Sequence, residues 1–254
     1  NLPITDVAVS ELGTPTADAN SKFRRRDGPI VPALFKNSSS QLVEGLTFYG
    51  GVFKPAVKKG PADSTYNEAW NTAIYVHPGI EAANPSPASP FYTIDPSYDQ
   101  GNLNVYSCAD FELYDPNTNK VHTFLFGGIG DGKVQAQTSM LSGFTDGLMH
   151  IEYDVNTGLS TSKIDNPYIF SVTGKYYGAE SDFIPIAGLS KVSIDGEDTE
   201  IFNAGTVFGN ANQVVVGYIY GGIEAIGQTP GTFGPGKSAA SNKIWKVTLT
   251  RTNN

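Results

Sequence analysis

The sequence predicts an all-β protein of the propeller type, and three observations carry that expectation. First, one phrase is used three times: a hydrophobic strand ending in an aromatic, then Gly-Gly, then Val or Ile. It reads Phe48-Tyr49-Gly50-Gly51-Val52, Leu125-Phe126-Gly127-Gly128-Ile129 and Ile219-Tyr220-Gly221-Gly222-Ile223. Second, strands ending in turn residues recur about Ile74, Glu112, Ile151 and Val192, at steps of 38, 39 and 41 residues, with a last strand about Lys246 after 54 more. A step near 40 residues is the length of a four-stranded propeller blade. Third, aromatic and β-branched residues are punctuated by 28 Gly and 16 Pro, and no long apolar run follows helical spacing, which favours many short strands joined by turns.

The elements follow in chain order. Residues 1–254 read as one β domain of about five to six divergent blades, a size that buries a core without covalent staples. Residues 1–35 are expected to be the remnant of a preceding blade or a strand that closes the ring, so the chain could also be part of a larger propeller. Arg24-Arg25-Arg26 is the one basic cluster and is read as a solvated loop. The first diglycine closes a strand at Tyr49. Glycine inside a strand gives up side-chain packing, so a diglycine there implies a bulge or the close approach of another backbone. A strand over Asn71 to Val76 ends at the turn His77-Pro78-Gly79. Phe111 to Tyr114 and Ile151 to Tyr153 each run into an Asp-x-Asn-Thr turn, at Asp115 and Asp154, where Asp and Asn bond their own backbone. Strands at Ser190 to Ile194 and Lys243 to Leu249 complete the series. Diglycine spacings of 77 and 94 residues are about two such steps each, so the motif is expected in alternate blades. Three long loops rich in Gly, Pro, Lys and Ser follow the diglycines, at Lys54 to Asn67, Gly130 to Gly143 and Glu224 to Ser241. They are expected on one face of the ring, where recognition residues belong.

Charge and cysteine content narrow the partners. A formal net charge of -8 argues against a nucleic-acid backbone or an anionic membrane as the main partner, and no stretch of 18 apolar residues could span a bilayer. The single Cys108 has no internal disulfide partner and no metal-ligand spacing around it, so an inert buried thiol is expected. Residue 1 is Asn with no signal peptide before it, so a secreted form would be a processed product.

The hairpin Tyr114-Asp115-Pro116-Asn117-Thr118, with the diglycine strands, resembles a kelch blade, although Val121 stands where kelch repeats carry a Trp. A narrower resemblance runs through Val105 to Cys108, Tyr114-Asp115, His122 to Ile129, Gly178 to Pro185, Val216 to Ile223 and Ala240 to Val247. In order and spacing these blocks are similar to secreted kelch-like proteins of Bacteroidota that are associated with type IX secretion. That resemblance implies a kelch-like β-propeller at the cell surface or outside the cell, with no established activity attached.

The chemistry-bearing residues favour a binding or structural module over an enzyme. His122 and His150 sit in predicted strands and read as packed or edge residues, while His77 is a turn residue with access to a binding face. Kelch-like blades invite a copper site of the galactose-oxidase type. Cys108, Tyr106, His77 and His122 supply its residue types, but a Cys in a strand supports it poorly. Glycoside hydrolysis is the alternative activity and would need two carboxylates held about 5–10 Å apart. Asp131, Asp146, Glu180 and Asp182 are its candidates, and sequence does not pair them. Calcium is the ion suited to the oxygen-rich turns Asp115 to Asn119, Asp154 to Thr157 and Asp195 to Glu200, though Asx turns explain the same residues without metal. The expected binding residues are His77, Asp131, Lys133, Asp146 and Glu224, no catalytic or metal residue is assigned, and the expected partner is a protein or glycan, as a lone binder or within an extracellular assembly.

Overall fold

The computed structural model describes residues 23, 25–37, 39–51, 70, 72–77, 92–95, 97–98, 105, 107–130, 143–166, 169–170, 172, 174–226 and 238–251. Strands β1 (Ile30–Lys36), β2 (Leu42–Tyr49), β3 (Ala73–Val76) and β4 (Tyr92–Asp95) form an antiparallel meander. Strands β5 (Ala109–Asp115), β6 (Lys120–Gly130), β7 (Gly143–Asp154) and β8 (Leu159–Asn166) repeat that arrangement. The third unit is interrupted. After β9 (Lys175–Tyr176) and β10 (Ser181–Pro185) the chain makes a hairpin, β11 (Lys191–Ile194) and β12 (Glu197–Asn203), and one helical turn, α1 (Ala204–Phe208). It then returns through β13 (Gln213–Gly221), β14 (Ile223–Ile226), β15 (Ser238–Ala240) and β16 (Ile244–Thr250). β13 pairs antiparallel with both β10 and β16, while β14 lies between β15 and β9.

The protein is therefore all-β with several sheets, as the turn-punctuated sequence predicts. The 39-residue step, however, relates strands within a sheet and does not separate blades. Glu112, Ile151 and Val192 all belong to one six-stranded sheet of order β11-β12-β5-β6-β7-β8. Glu112 and Ile151 lie on the first and third strands of a single meander. Val192 belongs to the inserted hairpin, whose β12 joins β5 in parallel. The true repeat is the diglycine, which ends or bends the strand flanked on both sides in all three units: β2, β6 and β13.

The physical reason for the diglycines is close backbone approach, with a bulge at the second. All six residues have positive φ, from 53° to 110°. A Cβ on Gly127 would lie 2.2 Å from the Tyr177 carbonyl oxygen, and one on Gly222 would lie 2.3 Å from that of Ala179. No neighbouring side chain can yield there, because the obstacle is main chain. The β6–β7 register shifts between Phe126 and Gly128, so Gly127 also stands opposite a bulge formed by Asp146 and Gly147 of β7.

Main-chain bonds join the three units near the same places. Asp27, Ser107 and Glu180 precede β1, β5 and β10, and all have left-handed φ, at 62°, 51° and 56°. The Ser107 N–H donates to the Asp27 carbonyl at 2.8 Å, and the Glu180 N–H to the Ser107 carbonyl at 2.7 Å. Arg25, read as solvated, instead reaches inward to the carbonyls of Gly50 at 2.9 Å and Thr72 at 2.5 Å and lies over the Trp70 ring. Its planar guanidinium satisfies orphan carbonyls at the first diglycine.

Strand alternation gives the six-stranded sheet two core faces. Val121, Leu125, Met149, Ile151 and Tyr153 pack toward the first meander, against Val31, Phe35, Tyr49 and Tyr75. Phe111, Leu113, Phe126 and Phe202 pack toward the third unit, against Val216, Ile219, Val247 and Phe208 of α1.

Candidate functional site

The second of those faces carries a cleft of about 890 Å3, walled by β5, β6, β7 and β8 on one side and by α1 and the end of β16 on the other. His122 on β6 is the cross-strand partner of Glu152 on β7, and His150 precedes Glu152 by two residues. Period-two alternation therefore places all three side chains on one face. The Nδ1 of His122 is 2.9 Å from Nε2 of His150 and 3.8 Å from Oε1 of Glu152. Among the described residues, this is the one trio of His, Cys, Asp or Glu with ligand atoms mutually within 4.8 Å.

Outer contacts fix each member. The Nδ1 of His150 lies 3.0 Å from Oδ2 of Asp165, but the ring is out of line for a hydrogen bond, so that atom is enclosed beside a carboxylate without a donor–acceptor pair. Lys120 Nζ donates to Oε2 of Glu152 at 2.7 Å, and Lys163 Nζ lies 3.0 Å from Oδ1 of Asp165. Phe124 stacks on the His150 ring at 4.6 Å. The hydrogen bond between the imidazoles requires one ring to donate and the other to accept.

Burial keeps both imidazoles neutral. It lowers the His122 pKa against the pull of Glu152, and together with the neighbouring His122 ring it brings His150 down to about 4. Burial works against the Glu152 charge, yet the hydrogen bond and charge of Lys120 hold its carboxyl below the ordinary value. The site thus offers two neutral nitrogen donors and one ionised carboxylate at the wall of a cleft.

A second polar group occupies the opposite face. Glu112 is buried, its Oε1 has no hydrogen-bond partner among the described residues, and burial followed by the nearby Asp110 charge raises its pKa well above the usual range. Burial and the Asp182 charge bring Asp110 up to about 6. Cys108 is pushed upward by burial and the same carboxylates, in keeping with an unreactive thiol.

Among the described residues expected to bind a partner, His77 follows β3, Asp146 lies on β7 and Glu224 on β14, strands of three different sheets. The His77 ring packs tilted against Phe35 at 4.3 Å between centroids and bonds Thr93 Oγ1 at 3.1 Å. Asp146 is buried in β7, which raises its pKa. Glu224 bonds Lys175 and accepts from the Tyr177 hydroxyl at 2.9 Å, and the Lys175 bond lowers its pKa. Asp131 and Lys133 lie outside the described residues, as do the loop Lys54 to Asn67 and Tyr106. The turns at Asp115 and Asp154 are Asx turns: Asp115 Oδ1 accepts the Asn117 N–H at 2.9 Å, and Asp154 Oδ1 accepts that of Asn156 at 2.7 Å. A calcium ion there would compete with those bonds.

The His122–His150–Glu152 group escaped the sequence reading because the partner of β6 across residues 131–142 could not be assigned. The available signal was His150-x-Glu152, an alternation that puts both side chains on one face of a strand.

No protein-family model, curated protein or solved structure matches this chain. Among the described residues, no helix is long and apolar enough to cross a membrane.

Proposed function

We propose that this chain is a secreted or cell-surface binding module, with kelch-like, propeller-type meanders, that holds a protein or glycan partner through the loops after its diglycines. The observation carrying the reading is the shared base of those loops. The Trp70 N–H donates to the Gly51 carbonyl at 2.8 Å, Gly143 pairs with Gly130, and the Ser241 N–H donates to the Gly222 carbonyl at 2.8 Å. Three segments, 52–69, 131–142 and 227–237, thus each follow a diglycine within a few residues, on a base closed by main-chain pairing. Loops presented by a rigid scaffold are the usual carriers of recognition. The first meander and the third unit packing on opposite faces of the middle sheet support the blade arrangement.

The test replaces each segment in turn with a Gly-Ser linker and screens the purified proteins on a glycan array and against surface-protein extracts. Loss of a wild-type ligand at unchanged melting temperature is expected. Unchanged binding in all three replacements, or loss only in step with unfolding, would overturn the reading.

Carbohydrate hydrolysis is the second reading, favoured by one observation. Burial and the neighbouring Asp182 bring Asp110 up to about 6, and a carboxyl raised in this way beside a second one can serve as a general acid. Release of reducing sugar by wild type and its loss in Asp110→Asn would support it, and no release from any polysaccharide offered would count against it.

A further inference from the structure

We propose that His122, His150 and Glu152 bind a zinc-class divalent transition-metal ion at the wall of the cleft. This goes beyond the loop-binding reading and stands independently of it.

Two imidazoles and one carboxylate form a donor set suited to zinc, nickel, copper or cobalt, whereas calcium and magnesium prefer oxygen alone. The spacing is nearly right before any ion enters. Tetrahedral zinc with bonds of about 2.0–2.1 Å holds its ligand atoms roughly 3.3 Å apart. The Nδ1 of His122 is 2.9 Å from the His150 nitrogen and 3.8 Å from the Glu152 oxygen, and all three atoms lie within 4.8 Å of one another, so side-chain shifts of about 0.5–1.5 Å bring them around one ion. All three donors come from adjacent paired strands, which fixes their backbone positions.

The surroundings are those of a metal ligand set. Asp165 stands 3.0 Å behind His150 on the ring nitrogen away from the trio, where an outer carboxylate orients a metal-bound imidazole. That nitrogen is enclosed and lacks a hydrogen bond in the described structure, and a small rotation of the ring towards an ion would bring it into line with Asp165. Lys120 holds the far oxygen of Glu152, which leaves Oε1 turned to the imidazoles. The cationic heads of Lys120 and Lys163 are each engaged by a carboxylate oxygen, Oε2 of Glu152 at 2.7 Å and Oδ1 of Asp165 at 3.0 Å. On binding, the ring that held the proton between the two imidazoles changes tautomer and carries it on its outward nitrogen, Nε2 of His122 or Nδ1 of His150, so both rings stay neutral and each presents a lone pair to the ion. The cleft leaves open coordination positions for water or an exchangeable ligand.

The experiment is calorimetric titration of chelator-treated protein with zinc sulfate, alongside the visible absorption of the cobalt-loaded protein. One ion per chain is expected, with cobalt bands of four- or five-coordination and no comparable uptake of calcium or magnesium. His122→Gln and Glu152→Gln should each weaken zinc binding at least tenfold. Their metal-free melting temperatures and far-ultraviolet circular dichroism identify any variant that fails to fold, and two variants at separate ligands keep the result decisive. His77→Gln should bind as wild type does. Absence of saturable zinc uptake by wild type, or equal affinity in folded His122→Gln and Glu152→Gln, would overturn the proposal.

Discussion

His122 and Thr123 are neighbours on β6, yet they face two different chemistries. On the His122 side the middle sheet carries two neutral imidazoles and two carboxylates around a cleft, each charge answered by a lysine. On the Thr123 side, Glu112 lies across the strand pair in a closed core, with an oxygen that has no hydrogen-bond partner among the described residues. The open face can keep its carboxylates ionised because cations reach them. The closed face can bury a carboxyl only by holding its proton, since an isolated charge there costs more than protonation does. One sheet thus suppresses positive charge on its histidines and negative charge on its acids by the same means, removal from water.

The largest test of this contrast is packing. Leu125 is fully buried on the closed face, whereas Leu148 is half-buried beside the cleft. Denaturant unfolding should show Leu125→Ala losing about 3 kcal/mol, because a cavity opens where nothing can collapse into it, and Leu148→Ala losing roughly 1 kcal/mol. Equal losses would mean that the two faces are alike.

Next comes the edge of the closed face. Asp95 accepts hydrogen bonds from the Tyr75 hydroxyl at 2.6 Å, the Ser160 N–H at 2.8 Å and the Ser97 N–H at 2.7 Å, tying β4 of the first unit to β8 of the second. Burial opposes its charge, but the bonds from Ser97, Tyr75 and Ser160 win and lower its pKa. Asp95→Asn should cost about 2 kcal/mol at pH 7. The stability Asp95 supplies is present above the ordinary carboxylate pKa and is lost as pH falls through its depressed value. The variant's deficit should therefore shrink in acid, and a deficit constant from pH 7 to pH 2 would refute the ionised network.

The smallest effect lies in the pH profile, where the two faces oppose each other. Asp110, raised from 3.8 to about 6, holds more protons folded than unfolded across that interval, so it makes stability fall as pH rises through it. His150, lowered from 6.5 to about 4, holds fewer protons folded, so it makes stability fall as pH drops through its interval. Melting curves from pH 4 to 7 should show Asp110→Asn gaining about 1–2 kcal/mol on wild type toward neutral pH. His150→Gln should lose much of its acid sensitivity. Parallel profiles for wild type and both variants would show that neither group titrates differently on folding.

The sequence made the strand content, the Asx turns and the diglycine repeat legible because each rests on local backbone chemistry: Asp115 and Asp154 bond their own turns, and Gly127 answers to one carbonyl oxygen. The arrangement of strands was not local. The parallel pairing of Phe202 with Leu113 joins residues far apart in the chain, and nothing in the spacing of Val192 distinguishes an inserted hairpin from a blade. The histidine trio was hidden for the same reason, since its register depends on how β7 returns beside β6. Arg25 was misread because an arginine that caps buried carbonyls looks, in sequence, like any other surface cation.

The joints between units use three unlike residues, Asp27, Ser107 and Glu180, bonded through main-chain atoms alone. Side-chain identity at such a joint is free to drift, provided a left-handed turn survives. Descendants of one ancestral meander could therefore lose almost all recognisable kinship in their letters while keeping the same hinge-like handclasp from unit to unit. Kinship in this chain is better sought by comparing backbone torsions than by aligning amino acids.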